Sequence, residues 1–214
     1  MSSNTYGYIA DTGPTQAYGS NNGVFDPADI NDLIAENKWS GVGTLELIQT
    51  QTVDDSDFSE SILYVDFTNL ADYGVHFLVY SDFQGQGYGY PSVRFSNDGG
   101  SSFEASGYSY AYWNTAESTV NEGKSNSADT IRLGANQYQN MNGYIYFYNL
   151  LDSTKYSFTS SQNSNVGGNN VSKDVSFGYG MYPTAEVHNA IRFRFNNATK
   201  IGALKISLYG IKEY

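Results

Sequence analysis

Cysteine is missing from all 214 residues, which removes disulfides, thiolate metal sites and a cysteine nucleophile together. Proline is nearly as scarce at 4 residues, so the turns fall to glycine and asparagine. Positive charge is thin: 11 Lys and Arg against 22 Asp and Glu leave a net charge of −11 at pH 7. A phosphate backbone needs a basic stripe, so nucleic acid is not expected as a partner, nor is an anionic membrane surface. No window approaches the roughly 20 apolar residues of a membrane span, so no membrane insertion is expected. The opening stretch MSSNTYGYIADTGPTQAYGS lacks the basic segment and apolar run of a secretory signal.

What the chain does have is turn formers and rings. Gly, Ser and Asn make 68 residues, and aromatics make 16% of the chain, 20 of them Tyr. Tyrosine buries a ring while keeping its hydroxyl wet, which suits sheet faces and contact surfaces.

The first 25 residues show no sustained period and read as an arm. In DPADINDLIAEN, Asp26 is placed as an N-cap and Pro27 at the first helical position, with Ile30, Leu33 and Ile34 on one face and Asn37 at the end. The spacing predicts one short N-terminal helix. Its stripe, with Phe25 and Trp39, forms a candidate anchor within an arm-and-helix segment over 1–43.

From Thr44 the period changes to two. Strands are expected in 44–50, 62–70, 74–81, 92–96, 107–113, 130–133, 143–149, 155–160, 175–179, 191–195 and 204–211, with Asn97 to Gly100 as a turn. About ten or eleven short strands at this spacing predict an all-β fold over 44–214, an antiparallel β-sandwich of jelly-roll type. Ile191, Phe193 and Phe195 are expected inward and Arg192 and Arg194 outward. Leu204, Ile206 and Leu208 alternate with Lys205, Ser207 and Tyr209. This last pair reads as a hairpin inserted into the sheets.

Three stretches carry a resemblance: GVFDPADINDLIAENKW (23–39), VRFSNDGGSSFEASGYSYAYW (93–113) and NAIRFRF with the following strand ending in LYGI. Together they resemble small tail and virion structural proteins of bacteriophages, of the marine phage type. The resemblance implies a β-sandwich displayed on the virion exterior, on tail or capsid, and made in the host cytoplasm. Its partners would be other virion proteins, with a homo-oligomer, a trimer by preference. It transfers no binding site and implies no enzyme and no cofactor. The acidic stretch 51–61 and the Gly-Tyr insert 84–90 fall outside the family pattern.

Candidate chemistry is sparse. Asp54, Asp55 and Asp57, with Glu60, form an oxygen-rich cluster of the kind that can hold Ca²⁺, but without the Gly and distal Glu of an EF-hand; a solvated acidic loop is the commoner fate. His76 and His188 are the only histidines, and Glu186 shares a strand face with His188. That pair supplies too few ligands for a metal and names no nucleophile.

The tyrosine rows say more. Tyr108, Tyr110 and Tyr112 share one strand face, and Tyr144, Tyr146 and Tyr148 share another, opposite Ile145 and Phe147. With Tyr88 and Tyr90 of the insert they are candidates for contact with a subunit or with a host surface glycan. Cross-strand pairing inside the sheet is the plainer alternative. For receptor binding, loops 82–90 and 97–107 would carry the contact. The expected function is therefore a non-enzymatic virion surface protein, tail-fibre or spike-like or capsid-decorating. The competing class is a glycan-active enzyme or a free carbohydrate-binding module on the same fold.

Overall fold

The computed structural model describes residues 31–32, 35, 45–55, 58–87, 89–116, 119–135, 139–166, 173–196 and 200–211. The chain divides into two units, Met1–Thr44 and Leu45–Tyr214. Of the helix expected between Asp26 and Asn37, only Asn31, Asp32 and Ala35 are described, and the helix is not supported as an element. Phe25, Ile30, Leu33, Ile34 and Trp39 lie outside the described residues.

The second unit is all-β. Its twelve described strands are β1 (Leu45–Asp54), β2 (Tyr64–Thr68), β3 (Val75–Gly85), β4 (Pro91–Ser96), β5 (Tyr108–Thr115), β6 (Val120–Ala128), β7 (Ile131–Arg132), β8 (Gln139–Tyr148), β9 (Ser157–Val166), β10 (Lys173–Tyr182), β11 (Ala190–Phe195) and β12 (Ile201–Ile211). They form two antiparallel sheets, a large one in the order β1-β12-β3-β8-β9-β10-β5-β6 and a small one in the order β2-β11-β4-β7. With β5–β6 and β9–β10 set aside, the chain crosses from one sheet to the other at every step except from β4 to β7, which pair within the small sheet. Those two pairs extend the large sheet beyond β8.

Alternation decides which side chains meet between the sheets. In β3, His76, Leu78 and Tyr80 are buried while Val75, Phe77 and Val79 lie on the other face. In β11, Ile191, Phe193 and Phe195 turn inward. The two sheets pack through rings: Tyr80 on Phe193 at 5.1 Å, Phe83 on Phe195 at 5.1 Å, Phe95 on Phe147 at 6.1 Å. The hydroxyl of Tyr108 in β5 accepts the Phe95 N–H of β4 at 2.7 Å, tying the extended part of the large sheet to the small one.

The extension has an inner face of another kind. Registers align Ser161, Gly178 and Tyr112, and likewise Thr159, Gly180 and Tyr110. The small residues of β9 and β10 in these rows let the β7 segment approach closely. A Cβ on Gly178 would stand 2.7 Å from Ser161 Oγ and 2.9 Å from the Leu133 carbonyl oxygen, and one on Gly180 would overlap Ile131. The Asn163 amide donates to the Leu133 carbonyl at 3.0 Å, and the Ser176 hydroxyl to Asn114 Oδ1 at 2.6 Å.

Two expectations need correction. The segments 191–195 and 204–211 are not a hairpin: β11 pairs with β2 and β4, while β12 pairs with β1 and β3. Alternation fixes the face of a strand but not its neighbour, and both strands are central, each in its own sheet. The segment Val120–Ala128 is a strand with no counterpart among those expected. It is an exposed edge with polar residues on both faces, so it shows no alternation to read.

Ile206 is fully buried and Lys205 exposed, on adjacent positions of β12. Ile206→Asp should lower unfolding free energy by more than about 3 kcal/mol, through an unpaired buried charge. Lys205→Ala should cost under about 0.5 kcal/mol. Urea denaturation of the two variants checks the pair.

Candidate functional site

The inner faces account for the core, and the outer face of the large sheet holds what remains of the rings. Across the strands, the registers align Tyr209, Phe77, Tyr146, Ser160 and Tyr179 in one row. A second row runs Val79, Tyr144, Gln162, Phe177 and Trp113, and a third Val75, Tyr148, Phe158 and Met181. Nine aromatic side chains thus share one face from β12 to β5. Five strand gaps of about 4.8 Å give it a breadth of roughly 24 Å.

The rings are in contact along much of that face. Phe77 lies 4.6 Å from Tyr146, 5.8 Å from Tyr144 and 6.5 Å from Tyr209; Tyr146 stacks on Tyr148 at 6.3 Å. Two hydroxyls are engaged within the sheet: Tyr144 donates to Gln162 Oε1 at 2.8 Å, and Tyr148 meets Ser160 Oγ at 3.3 Å. Towards β10 and β5 the cover thins. Tyr179 is 64% exposed, Trp113 52%, Phe158 39% and Phe177 36%. Two adjoining depressions lie there, one of about 610 Å³ between Tyr148, Phe158, Met181 and Tyr179, the other of about 550 Å³ between Tyr179, Phe177, Trp113 and Glu122.

The two tyrosine rows of the sequence fall on opposite sides of this sheet. Tyr144, Tyr146 and Tyr148 lie on the outer face, each half-buried. The other row points inward: Tyr108 is fully buried, so it is not a contact residue, and Tyr110 packs against the core. Tyr112 lies under the Arg132 guanidinium, 4.7 Å from its ring centroid. Burial raises the Tyr108 phenol above its ordinary value. Tyr90 is half-buried, stacked by Arg132 at 4.0 Å and with its hydroxyl accepting from Asn196; Tyr88 lies outside the described residues.

Trp113, Phe158, Phe177, Tyr179, Phe77 and Tyr209 have no place among the sequence candidates. A signal was present in β10, where SFGYGM alternates rings with glycine and so marks a strand with one bare face and one aromatic one.

The loop candidates are drawn into the fold. Positions 82–85 belong to β3. Within 97–107, the Asp98 carboxylate accepts from the Ser102 hydroxyl at 2.6 Å, from the Ser102 N–H at 2.9 Å and from the Ser96 hydroxyl at 2.7 Å, which lowers its pKa to about 2. The acidic cluster closes on itself similarly. Asp55, 5% exposed, accepts from the Ser59 N–H and hydroxyl on one oxygen and from the Glu60 N–H on the other, each at 2.8 Å. Asp54 is exposed on β1, and Asp57 lies outside the described residues. No group of three potential metal ligands occurs among the described residues.

One constellation has the residue order of a nucleophilic triad, though with the two imidazole nitrogens exchanged. Ser157 Oγ lies 2.7 Å from His188 Nδ1, and His188 Nε2 lies 3.4 Å from Glu186 Oε1. Ser157 and His188 are both fully buried, so the hydroxyl is not presented to a substrate. Phe95 and Tyr182 enclose the imidazole at 5.0 and 5.2 Å. The cluster joins β9 to the 183–189 segment.

Comparison of the chain with protein-family models, with curated proteins and with solved structures gave no match.

Both imidazoles are held below their ordinary pKa, chiefly by burial, with the Ala71 carbonyl opposing at His76 and Glu186 at His188. The unfolded chain takes up these protons near pH 6.5 and the native state does so only at lower pH. Their contribution is therefore complete above about pH 6.5 and lost as pH falls through the folded values. Stability should drop between about pH 7 and pH 5. A His188→Gln variant should show a shallower drop in urea titrations at the two values. Asp98 and Asp152, each lowered to about 2, act only in a more acidic window.

Proposed function

We propose that the chain is a non-enzymatic assembly protein of jelly-roll type whose working surface is the outer aromatic face of its large sheet. The jelly-roll reading is supported by strand order: β1-β12-β3-β8 against β2-β11-β4-β7 is two interleaved Greek keys, with β5–β6 and β9–β10 as insertions. The extra strands supply Trp113, Phe177 and Tyr179, so the insertions build the most exposed part of the face.

A protein occupant suits this face better than a sugar. Its rows join tyrosines to Val75, Val79, Phe77, Phe158, Phe177 and Met181, and a contiguous apolar surface of that breadth marks an interaction site. Interface cores are enriched in Tyr, Trp, Phe and Met. Following the resemblance, the setting is the exterior of a bacteriophage virion, on tail or capsid, with other virion proteins and copies of this chain as partners. A trimer is the preferred homo-oligomer on the same ground. The second reading is a glycan-binding face, favoured by Gln162, Ser160 and Glu122 standing among the rings.

Trp113 and Tyr179 are exposed enough for replacement to spare the fold. The double variant Trp113→Ser, Tyr179→Ser should keep its thermal midpoint while sedimentation shows an oligomer of the parent chain reduced to monomers. A parent chain that stays monomeric and shows saturable ring-fluorescence quenching by neutral oligosaccharides would sink the assembly reading and favour the glycan one.

A further inference from the structure

The opposite side of the molecule has the reverse chemistry. All four arginines of the chain lie in the small sheet, Arg94 on β4, Arg132 on β7, and Arg192 and Arg194 on β11. Because Val93, Phe95, Ile191, Phe193 and Phe195 fill the core, alternation turns Arg94, Arg192 and Arg194 to the outer face. Arg192 stands directly across from Arg94, Arg194 across from Ser92, and Ser92 across from Arg132. Like charges directly opposite are destabilising in a sheet, and a chain of net charge −11 has gathered its guanidinium groups there.

Part of the repulsion is offset within the molecule. Arg192 makes a two-pronged pair with Asp66 at 2.7 Å on both arms and lies over Tyr64 and Phe103 at 3.5 and 4.0 Å. Arg94 meets Asp129 at 2.5 Å through one terminal nitrogen only. Arg194 donates to the neutral Asn196 Oδ1 at 3.1 Å and is bonded to no carboxylate among the described residues.

Two further polar atoms on this face lack partners. Among the described residues the Ser92 hydroxyl, in a residue fully buried between Arg194 and Arg132, has no hydrogen bond, and neither has the buried Arg94 Nε. An unmade bond at a buried polar group costs free energy.

We propose that the outer face of the small sheet binds an oxyanion, received by the Arg194 and Arg94 guanidinium groups above Ser92. Guanidinium forks match the oxygens of carboxylate, sulfate and phosphate alike. The anion would give Arg194 a directly bonded counter-charge, where the described residues offer it only the field of the nearby Asp129. Burial, with Arg94 and Arg192 among the neighbouring charges, lowers the pKa of Arg194, while Asp129 and Tyr90 oppose the shift.

The test uses the full chain and three probes: sodium sulfate, phosphate and acetate, each against sodium chloride at matched ionic strength, read by thermal midpoint and by calorimetric titration. A saturable rise is expected with at least one oxyanion and none with chloride. The best of the three identifies the source as a sulfate ester, a phosphate ester or a carboxylate. Arg194→Gln should weaken that binding about tenfold or more, the loss of one charge-assisted contact. Asp129→Asn, which frees Arg94, should tighten it about two- to fivefold. Should Arg194→Gln unfold the chain, the Asp129→Asn arm still decides, because a merely structural role for Arg94 predicts no tightening. Equal stabilisation by chloride, or an Asp129→Asn variant that binds no better than the parent, would overturn the proposal.

Discussion

The bare inner face of β10 is the constraint on which the arrangement of the large sheet depends. Eight strands face four, so cover for the outlying half of the large sheet must come from the edge of the small one. The segment Ile131–Gly134 supplies it, approaching so closely that Gly178 and Gly180 leave no room for a side chain. Their neighbours Ser161, Thr159 and Ser176 are small for the same reason. A layer this thin holds few rings. Phe177, Tyr179 and Trp113 project from the other surface of the same strands, and the face they build follows from the close packing behind it.

The sequence was readable wherever one face of a strand is apolar and the other is not. Ile191 to Phe195 and Leu204 to Leu208 show that alternation, and Ile145 and Phe147, opposite the tyrosines of their strand, turn inward. Alternation carries no information about neighbours, so two strands in different sheets looked like a hairpin. Nor does it set the sign where both faces carry rings: Tyr108, Tyr110 and Tyr112 alternate with Ser109, Ala111 and Trp113, and the structure turns the tyrosines inward, Tyr108 fully buried and the other two half-buried. There the choice is made by the Phe95 N–H, which gives the Tyr108 hydroxyl a buried partner and so removes the penalty of enclosing it. The aromatic face itself needed registers across six strands, which no single stretch contains.

Charge is divided as sharply as apolar area. Arg94, Arg192 and Arg194 sit on one broad surface, with Arg192 over Tyr64 and Phe103, and Arg132 on the edge strand lies over Tyr90 and Tyr112. The rings of the other surface have nearly neutral neighbours, with Glu122 and Lys124 at the β6 border. Partners meeting the two surfaces need opposite properties, and the layer of side chains between them keeps the surfaces from competing for one ligand.

The position of β12 bears on how the chain reaches this state. It lies between β1 and β3, with Leu45 opposite Ile211 and Val75 opposite that same residue. Partners so distant in sequence carry a large loop-closure cost before they return any contact energy, and topologies dominated by such pairs fold slowly. Until β12 arrives, β1 has no neighbour and β3 shows an open edge beside its rings. During synthesis at about 5–20 residues per second, that edge stays open for seconds. The interval sets a window for mispairing between nascent chains.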